Sequence, residues 1–278
     1  MGNFFKKLRR FAELAPGVRR LIAPNPSMMT GPGTNTYLFG IEAVAVVDPG
    51  PALREHVDDI VRRASAPIRW ILATHTHPDH SPGVRLLARS TGAEVLGMAA
   101  PNGEHQDTSF RPTRVLGDTD CLETGEFTLE ALHTPGHASN HLCFRHTETN
   151  WILTGDHVID GSTVVINPPD GNMSHYLQSL RRIRDLAPDA LLPGHGARID
   201  DPGRVIDWII EHRLDREAKV LAALYDHPGS TPRQLVPYVY RDVRETLYAW
   251  AERSLLAHLE KLETDGRATS EEARWTAV

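Results

Sequence analysis

The chain has 278 residues, 40% hydrophobic and 24% charged, which fits one large globular domain or one domain with a small appendage. Its longest apolar runs fall far short of the roughly 20 residues that a membrane-spanning helix needs. Two cysteines, Cys121 and Cys143, exclude a disulfide framework, and a net charge of −6 gives no overall electrostatic footprint for nucleic acid.

In chain order, Met1 to Leu14 carries Phe4, Phe5, Leu8 and Phe11 at near-helical spacing beside Lys6, Lys7, Arg9 and Arg10. This predicts a short N-terminal helix docked on the body, with a membrane-surface helix as the alternative. No uninterrupted apolar core follows the basic residues, so it does not read as a secretory signal, and a cytoplasmic location is expected. Tyr37 to Gly40 and Ala43 to Val47 read as a hairpin that ends sharply at Asp48-Pro49-Gly50. Leu53 to Ala64 has helical spacing, and Ile68 to Ala73 is an apolar run of strand length.

Directly after that run comes His75-Thr76-His77-Pro78-Asp79-His80. Pro78 and Ser81-Pro82-Gly83 break the strand, so these polar side chains sit on a tight loop at its end. Imidazole and carboxylate are ligands for zinc and similar divalent ions. Crowding them into six residues points to a metal.

Gly83 to Arg89 then reads as a helix, Ala93 to Met98 as a strand and Ala99 to Thr113 as a surface loop. Strands follow within Gly117 to Ala131, joined at Thr124-Gly125, then at His141 to Arg145 and Trp151 to Leu153. Ser174 to Leu186 is a helix and Ala190 to Leu192 a brief strand. Three strand ends carry a ligand type beside Gly or Pro: Pro135-Gly136-His137, Gly155-Asp156 and Pro193-Gly194-His195-Gly196. Glycine there lets the backbone bend closely around a shared centre.

The pattern changes near residue 200. Pro202 to Tyr225 and Glu245 to Leu262 have helical spacing. Thr231 is placed to cap a short helix through Leu235 to Val239, and Asp265-Gly266 makes a turn before a short strand. The order predicts a winged-helix-like domain over 201–278 behind a catalytic domain over 1–200. From Asp200 onward 11 Lys or Arg face 15 Asp or Glu, a net of −4.

The series H-x-H-x-D-H, then His, Asp and His, resembles the ligand series of the metallo-β-lactamase superfamily. Asn25-Pro26-Ser27, Gly33-Thr34-Asn35-Thr36-Tyr37 and the helical tail are similar to its beta-lactamase-like protein 2 group. The resemblance implies an α/β fold, a four-layer αβ/βα sandwich with the winged-helix-like domain appended. It implies two divalent ions: one held by His75, His77 and His137, the other by Asp79, His80 and His195, with Asp156 between them. The N/O ligand set suits zinc, with iron or manganese as alternatives. A hydroxide held between the ions would attack, with Asp79 also orienting or deprotonating the water.

No G-x-S-x-G elbow, P-loop or complete G-x-G-x-x-G competes with this reading. Asn35, Tyr37 and Tyr176 are read as packing residues, with substrate contact as the alternative. His133, His141, His146, His157 and His175 fall outside the ligand pattern and read as surface or supporting groups. The expected substrate is a small thioester, ester or lactone. The alternative is single-stranded RNA, cleaved by the same centre, and the tail's apolar helix positions also allow a homodimer.

Overall fold

Aliphatic runs four or five residues long dominate the first two-thirds of the chain, and they pair into two sheets. The computed structural model describes residues 8–278. The first sheet has the strand order β1 (Phe11–Ala15), β2 (Val18–Ile22), β3 (Asn35–Phe39), β4 (Val44–Val47), β5 (Ile68–Leu72), β6 (Glu94–Gly97) and β7 (Arg114–Val115). The pairs from β1 to β4 are antiparallel, and those from β4 to β7 are parallel. Helices α1 (Arg54–Arg63) and α2 (Gly83–Thr91) supply the first two parallel crossovers.

The second sheet runs β12 (Ala190–Pro193), β11 (Trp151–Gly155), β10 (Leu142–His146), β9 (Thr128–His133), β8 (Cys121–Glu123). Only its β11–β12 pair is parallel.

Strand side chains alternate between faces, and here both faces of the first sheet are buried. Phe39, Val47, Leu72 and Leu96 point to one side and pack with Leu129, Phe144, Leu153 and Leu192 of the second sheet. Their neighbours Leu38, Val46, Ile71 and Val95 point to the other side and pack with Val57 and Ile60 of α1 and Val84 and Leu87 of α2. That is why these strands read as largely apolar runs rather than alternating ones.

Two compact units are formed. The first comprises Met1–Thr134 (described from residue 8), Asn140–Thr163 and Leu186–Pro202, and so contains both sheets. The second comprises Pro135–Ser139, Val164–Asp185 and Gly203–Val278. It holds α3 (Met173–Asp185), α4 (Pro202–Asp226, from its second residue), α5 (Pro232–Val239), α6 (Tyr248–Thr264) and the hairpin β13 (Ala268–Glu271) with β14 (Arg274–Ala277).

Val220, Leu224, Leu235, Leu255, Leu259 and Trp275 form the core of its C-terminal part. Thr231 and Gln234 cap α5 reciprocally: the Thr231 hydroxyl accepts from the Gln234 amide, and the Gln234 side chain accepts from the Thr231 amide. Among the described residues no helix is long and apolar enough to cross a membrane, and both cysteines are free thiols.

The N-terminal expectation is corrected in part. Phe11–Ala15 is a strand, turned at Gly17 into β2, with Phe11 under the Arg63 guanidinium at 4.3 Å from the ring centre. Edge pairing to β2 outweighs the helical spacing of three aromatics. The part of that expected helix on residues 1–7 lies outside the described residues. The hairpin β1–β2 itself went unread because Arg19 and Arg20 interrupt its apolar run, although both are buried.

Phe39 is fully buried between the sheets. Phe39→Ala should therefore cost about 3–5 kcal/mol, read from the denaturant midpoint at unchanged slope.

Candidate metal centre

Four strands end at one edge of the first unit, and each delivers a polar side chain there. β5 leads into His75, His77, Asp79 and His80; β11 into Asp156; β12 into His195; and β4 into Asp48. The edge of the sheet beyond parallel strand ends is a usual place for a site in α/β proteins.

His75 Nε2 lies 3.0 Å from His77 Nδ1. His80 Nε2 stands 3.4 Å from Asp79 Oδ2 and 3.3 Å from Asp156 Oδ1, and His195 Nε2 stands 3.2 Å from each of the same two oxygens. Ligand atoms of His75, His80 and Asp156 lie within 4.8 Å of one another, as do those of Asp79, His80 and His195. Six of the seven expected ligands are thus gathered in this unit. His137 belongs to the second unit, where its Nδ1 faces the Val165 carbonyl oxygen at 2.9 Å. Donation from Nδ1 leaves Nε2 as its ligand nitrogen.

The loops are braced from behind. Asp48 accepts from the Thr74 amide at 2.7 Å, the Thr74 hydroxyl at 2.8 Å and His80 Nδ1 at 2.9 Å. His80 therefore carries its proton on Nδ1 and presents the Nε2 lone pair to the centre. The Thr74 hydroxyl is also 3.0 Å from His75 Nδ1, so the same chain fixes a second imidazole. Asn35 Nδ2 donates to the carbonyls of Pro193 and Gly196, and the Tyr37 hydroxyl donates to Pro193, which pins the loop that aims His195. Thr34 donates to Asp79 Oδ2 at 3.1 Å.

Close approach requires glycine at position 194. A Cβ there would lie 2.7 Å from Asp156 Oδ1 and 2.8 Å from His80 Cε1.

These residues fit a divalent cation. The four separations among Asp79, Asp156, His80 and His195 are edge lengths of a tetrahedron, and ligands about 2.0–2.1 Å from one zinc stand roughly 3.3–3.4 Å apart. His80 Nε2 is buried and reaches no hydrogen-bonding geometry. With its proton on Nδ1, its lone pair converges on carboxylate lone pairs, an arrangement that calls for a cation between them.

Protons on the imidazoles supply positive charge between these groups. Burial by itself lowers the pKa of His195, but Asp156 and Asp79 outweigh it and carry the imidazole up to about 9. His80 is pushed well above its ordinary value in the same way, burial being overcome by Asp79, Asp156 and Asp48. Burial raises Asp79 and Asp156, yet His80 and His195 hold both far below the usual carboxylate range.

Asn35 and Tyr37 are buried braces, as is Thr34, and none of the three was read from sequence as aiming a ligand. The Gly33-Thr34-Asn35 signal pointed to the right segment without its role. Asp48 was read only as a strand exit. Among the other histidines, His141 and His157 are buried, and the His141 ring stacks 5.0 Å from that of His75, which makes it a supporting group. His146 packs against Phe39, while His175 is exposed. Tyr176 is fully buried in the second unit, a packing residue.

Two outcomes follow from this geometry. Asp48→Asn should weaken metal binding about 10–100-fold, measured by competition with a chromophoric chelator, because the His80 imidazole loses its charged anchor. In protein stripped by chelator, His195 is protonated below about pH 9, whereas a ligand imidazole must be neutral. Apparent metal affinity should therefore fall as pH drops below that value. Calorimetry in buffers of different ionisation enthalpy should register proton release on metal binding.

Comparison with known proteins places the chain in a family. Residues 29–195 match the family model of the metallo-beta-lactamase superfamily, and residues 231–275 match the beta-lactamase associated winged helix domain. A beta-lactamase-like protein 2 homolog of Drosophila melanogaster is 30% identical over 91% of this chain and 90% of its own length. An atrochrysone carboxyl ACP thioesterase of Aspergillus fumigatus is 33% identical over 76% of this chain and 66% of its own length. A crystal structure of a metallo-beta-lactamase family protein from Thermus thermophilus shares the fold at a TM-score of 0.80 and 23% identity, covering 96% of this chain and all of that one. With its α/β sandwich and C-terminal winged helix, the chain belongs to the metallo-beta-lactamase superfamily and is a metal-dependent hydrolase.

Proposed function

We propose that this hydrolase cleaves a small acyl substrate, a thioester, ester or lactone, at a dinuclear centre. The observation that carries it is the convergence of two carboxylates and two imidazoles at 3.2–3.4 Å. The thioesterase name of the Aspergillus relative supports the acyl class.

In this reading His75 and His77 take the first ion, Asp79, His80 and His195 the second, and Asp156 both. His137 joins the first by the family's ligand order. Zinc is the proposed metal, with iron or manganese as alternatives. When bound, such ions polarise a carbonyl oxygen and supply water acidic enough to ionise near neutral pH.

The chain's own groups do the rest. Thr34 fixes Asp79 Oδ2 by its hydrogen bond. Partly exposed Asp79 then orients or deprotonates the attacking water. His80 and His195, held by Asp48 and by the braced loop after β12, keep their lone pairs aimed inward. The body through residue 200 is the proposed catalytic domain, and 201–278 the appended one. The cytoplasm is the proposed location.

Single-stranded RNA is the second reading, favoured by the matched winged helix. A homodimer through the C-terminal helices would cover the half-exposed Trp208 and Leu214 of α4. A monomer in sedimentation velocity at micromolar concentration removes it.

The deciding experiment offers a thioester panel and labelled single-stranded RNA to the same preparation, with and without chelator. Chelator-sensitive thioester turnover is expected. Cleavage of RNA alone would reverse the substrate class. His77→Ala and Asp156→Ala should each lower turnover at least ~10³-fold and lose metal by elemental analysis, with an unchanged far-ultraviolet spectrum. Full activity in metal-free variants would remove the centre from the reaction.

A further inference from the structure

A cavity of about 270 Å³ opens beside α2, lined by none of the seven expected ligands. Its apolar floor includes Val84 of α2, Val95 of β6 and Phe110 of the loop before β7. Around the floor stand three exposed guanidiniums: Arg85 and Arg89, one helical turn apart, and Arg111 from that loop. None of the three makes an ion pair within 4 Å among the described residues. Arg111 is anchored through Nη1 to the carbonyls of Thr108 and Phe110.

The one carboxylate lining the cavity is already engaged. Asp107 accepts from the Ser81 hydroxyl at 2.7 Å and from the Ser109 amide at 2.9 Å. The lining therefore carries three positive charges against one negative, on a chain whose net charge is −6. Uncompensated like charges around one apolar hollow repel, and a compact anion relieves that repulsion.

We propose that this cavity binds a small organic phosphate. The net charge of its lining matches a phosphate monoester, which carries close to two negative charges at pH 7. A carboxylate would leave one charge unmatched. Guanidinium forks suit phosphate oxygens in pairs. The apolar floor takes the organic part, and the volume, just under the ~300 Å³ at which ligand pockets usually begin, limits that part to about one ring.

The wall is continuous with the histidine loop. The Asp107 amide donates to the Thr76 carbonyl at 2.6 Å, between His75 and His77, and Ser81 directly follows His80. No side chain of the cavity belongs to the proposed metal centre, so the two readings stand or fall separately.

The test is calorimetric titration of the metal-loaded protein with phenyl phosphate, and in parallel with benzoate. One phenyl phosphate should bind per chain, with benzoate at least tenfold weaker. Arg85→Ala and Arg89→Ala should each weaken phenyl phosphate ~10–100-fold, as expected for loss of a charge-assisted hydrogen bond. Arg85→Lys should fall between. Both arginines are exposed on a helix and alanine is the better helix former, so the variants fold. Benzoate binding as tightly as phenyl phosphate would overturn the proposal, as would undiminished binding to both alanine variants. Binding that survives both substitutions and disappears with chelator would place the phosphate on the metal centre instead.

Discussion

Asp48 is the constraint on which the metal centre rests. It stands at the exit of β4 with a φ of 51°, a left-handed conformation that a non-glycine residue adopts at a cost of ~1–3 kcal/mol. A buried carboxylate also demands donors. The three it finds are two on Thr74, just past the end of β5, and His80 Nδ1 at the far end of the ligand loop. One side chain therefore fixes both ends of the six-residue segment and the tautomer of His80. The strain at Asp48 is the physical counterpart of that reach.

From this anchor the remaining positions become matters of close approach. β4 runs parallel to β5, and β11 parallel to β12, so each pair of exits opens onto a common edge. β12 can bring His195 against the carboxylates only because Gly194 has no Cβ to collide with Asp156 and His80. The loop does not relax away, because its carbonyls at Pro193 and Gly196 are held by Asn35 and Tyr37 from β3. These are buried donors paired with buried acceptors, and such bonds are costly to leave unmade. Ligand placement is thus spread over strands far apart in sequence, with backbone carbonyls as the points of attachment.

The proposed ligands were legible in the sequence and their supports largely were not. His75 to His80 stand out because three imidazoles and a carboxylate in six residues have few other uses, and the Gly-flanked Asp156 and His195 complete a recognisable order. The central strands were legible for the opposite reason: burial on both faces leaves runs such as Ile68 to Leu72 almost wholly apolar. Thr34, Asn35, Tyr37 and Asp48 are ordinary turn and strand residues until the partner carbonyl or imidazole is known, and those partners lie as far as 161 residues away. The β1–β2 hairpin was hidden by Arg19 and Arg20, whose guanidiniums find backbone carbonyls such as that of Gly40 instead of solvent. Periodicity reports burial, and buried polar groups with distant partners break the correspondence.

Charge separates the chemistry of the centre from its choice of substrate. A metal centre of the proposed kind would stabilise negative charge developing on an oxygen, and that service is the same for a carbonyl and for a phosphodiester. Affinity for an RNA strand, by contrast, comes mainly from phosphates met by Lys and Arg across an extended surface. The winged-helix part of this chain is built around Leu235, Leu255, Leu259 and Trp275, with Thr231 capping α5. From Asp200 onward its net charge is −4. In its core, the Glu217 carboxylate, 6% exposed, is already held by Lys261 and Arg267, and Arg216 by Asp242. Five of the tail's charged groups are thus committed to one another. A small neutral acyl group makes no such demand on the surface, which is why the acyl reading needs only the edge of the sandwich where the histidines meet.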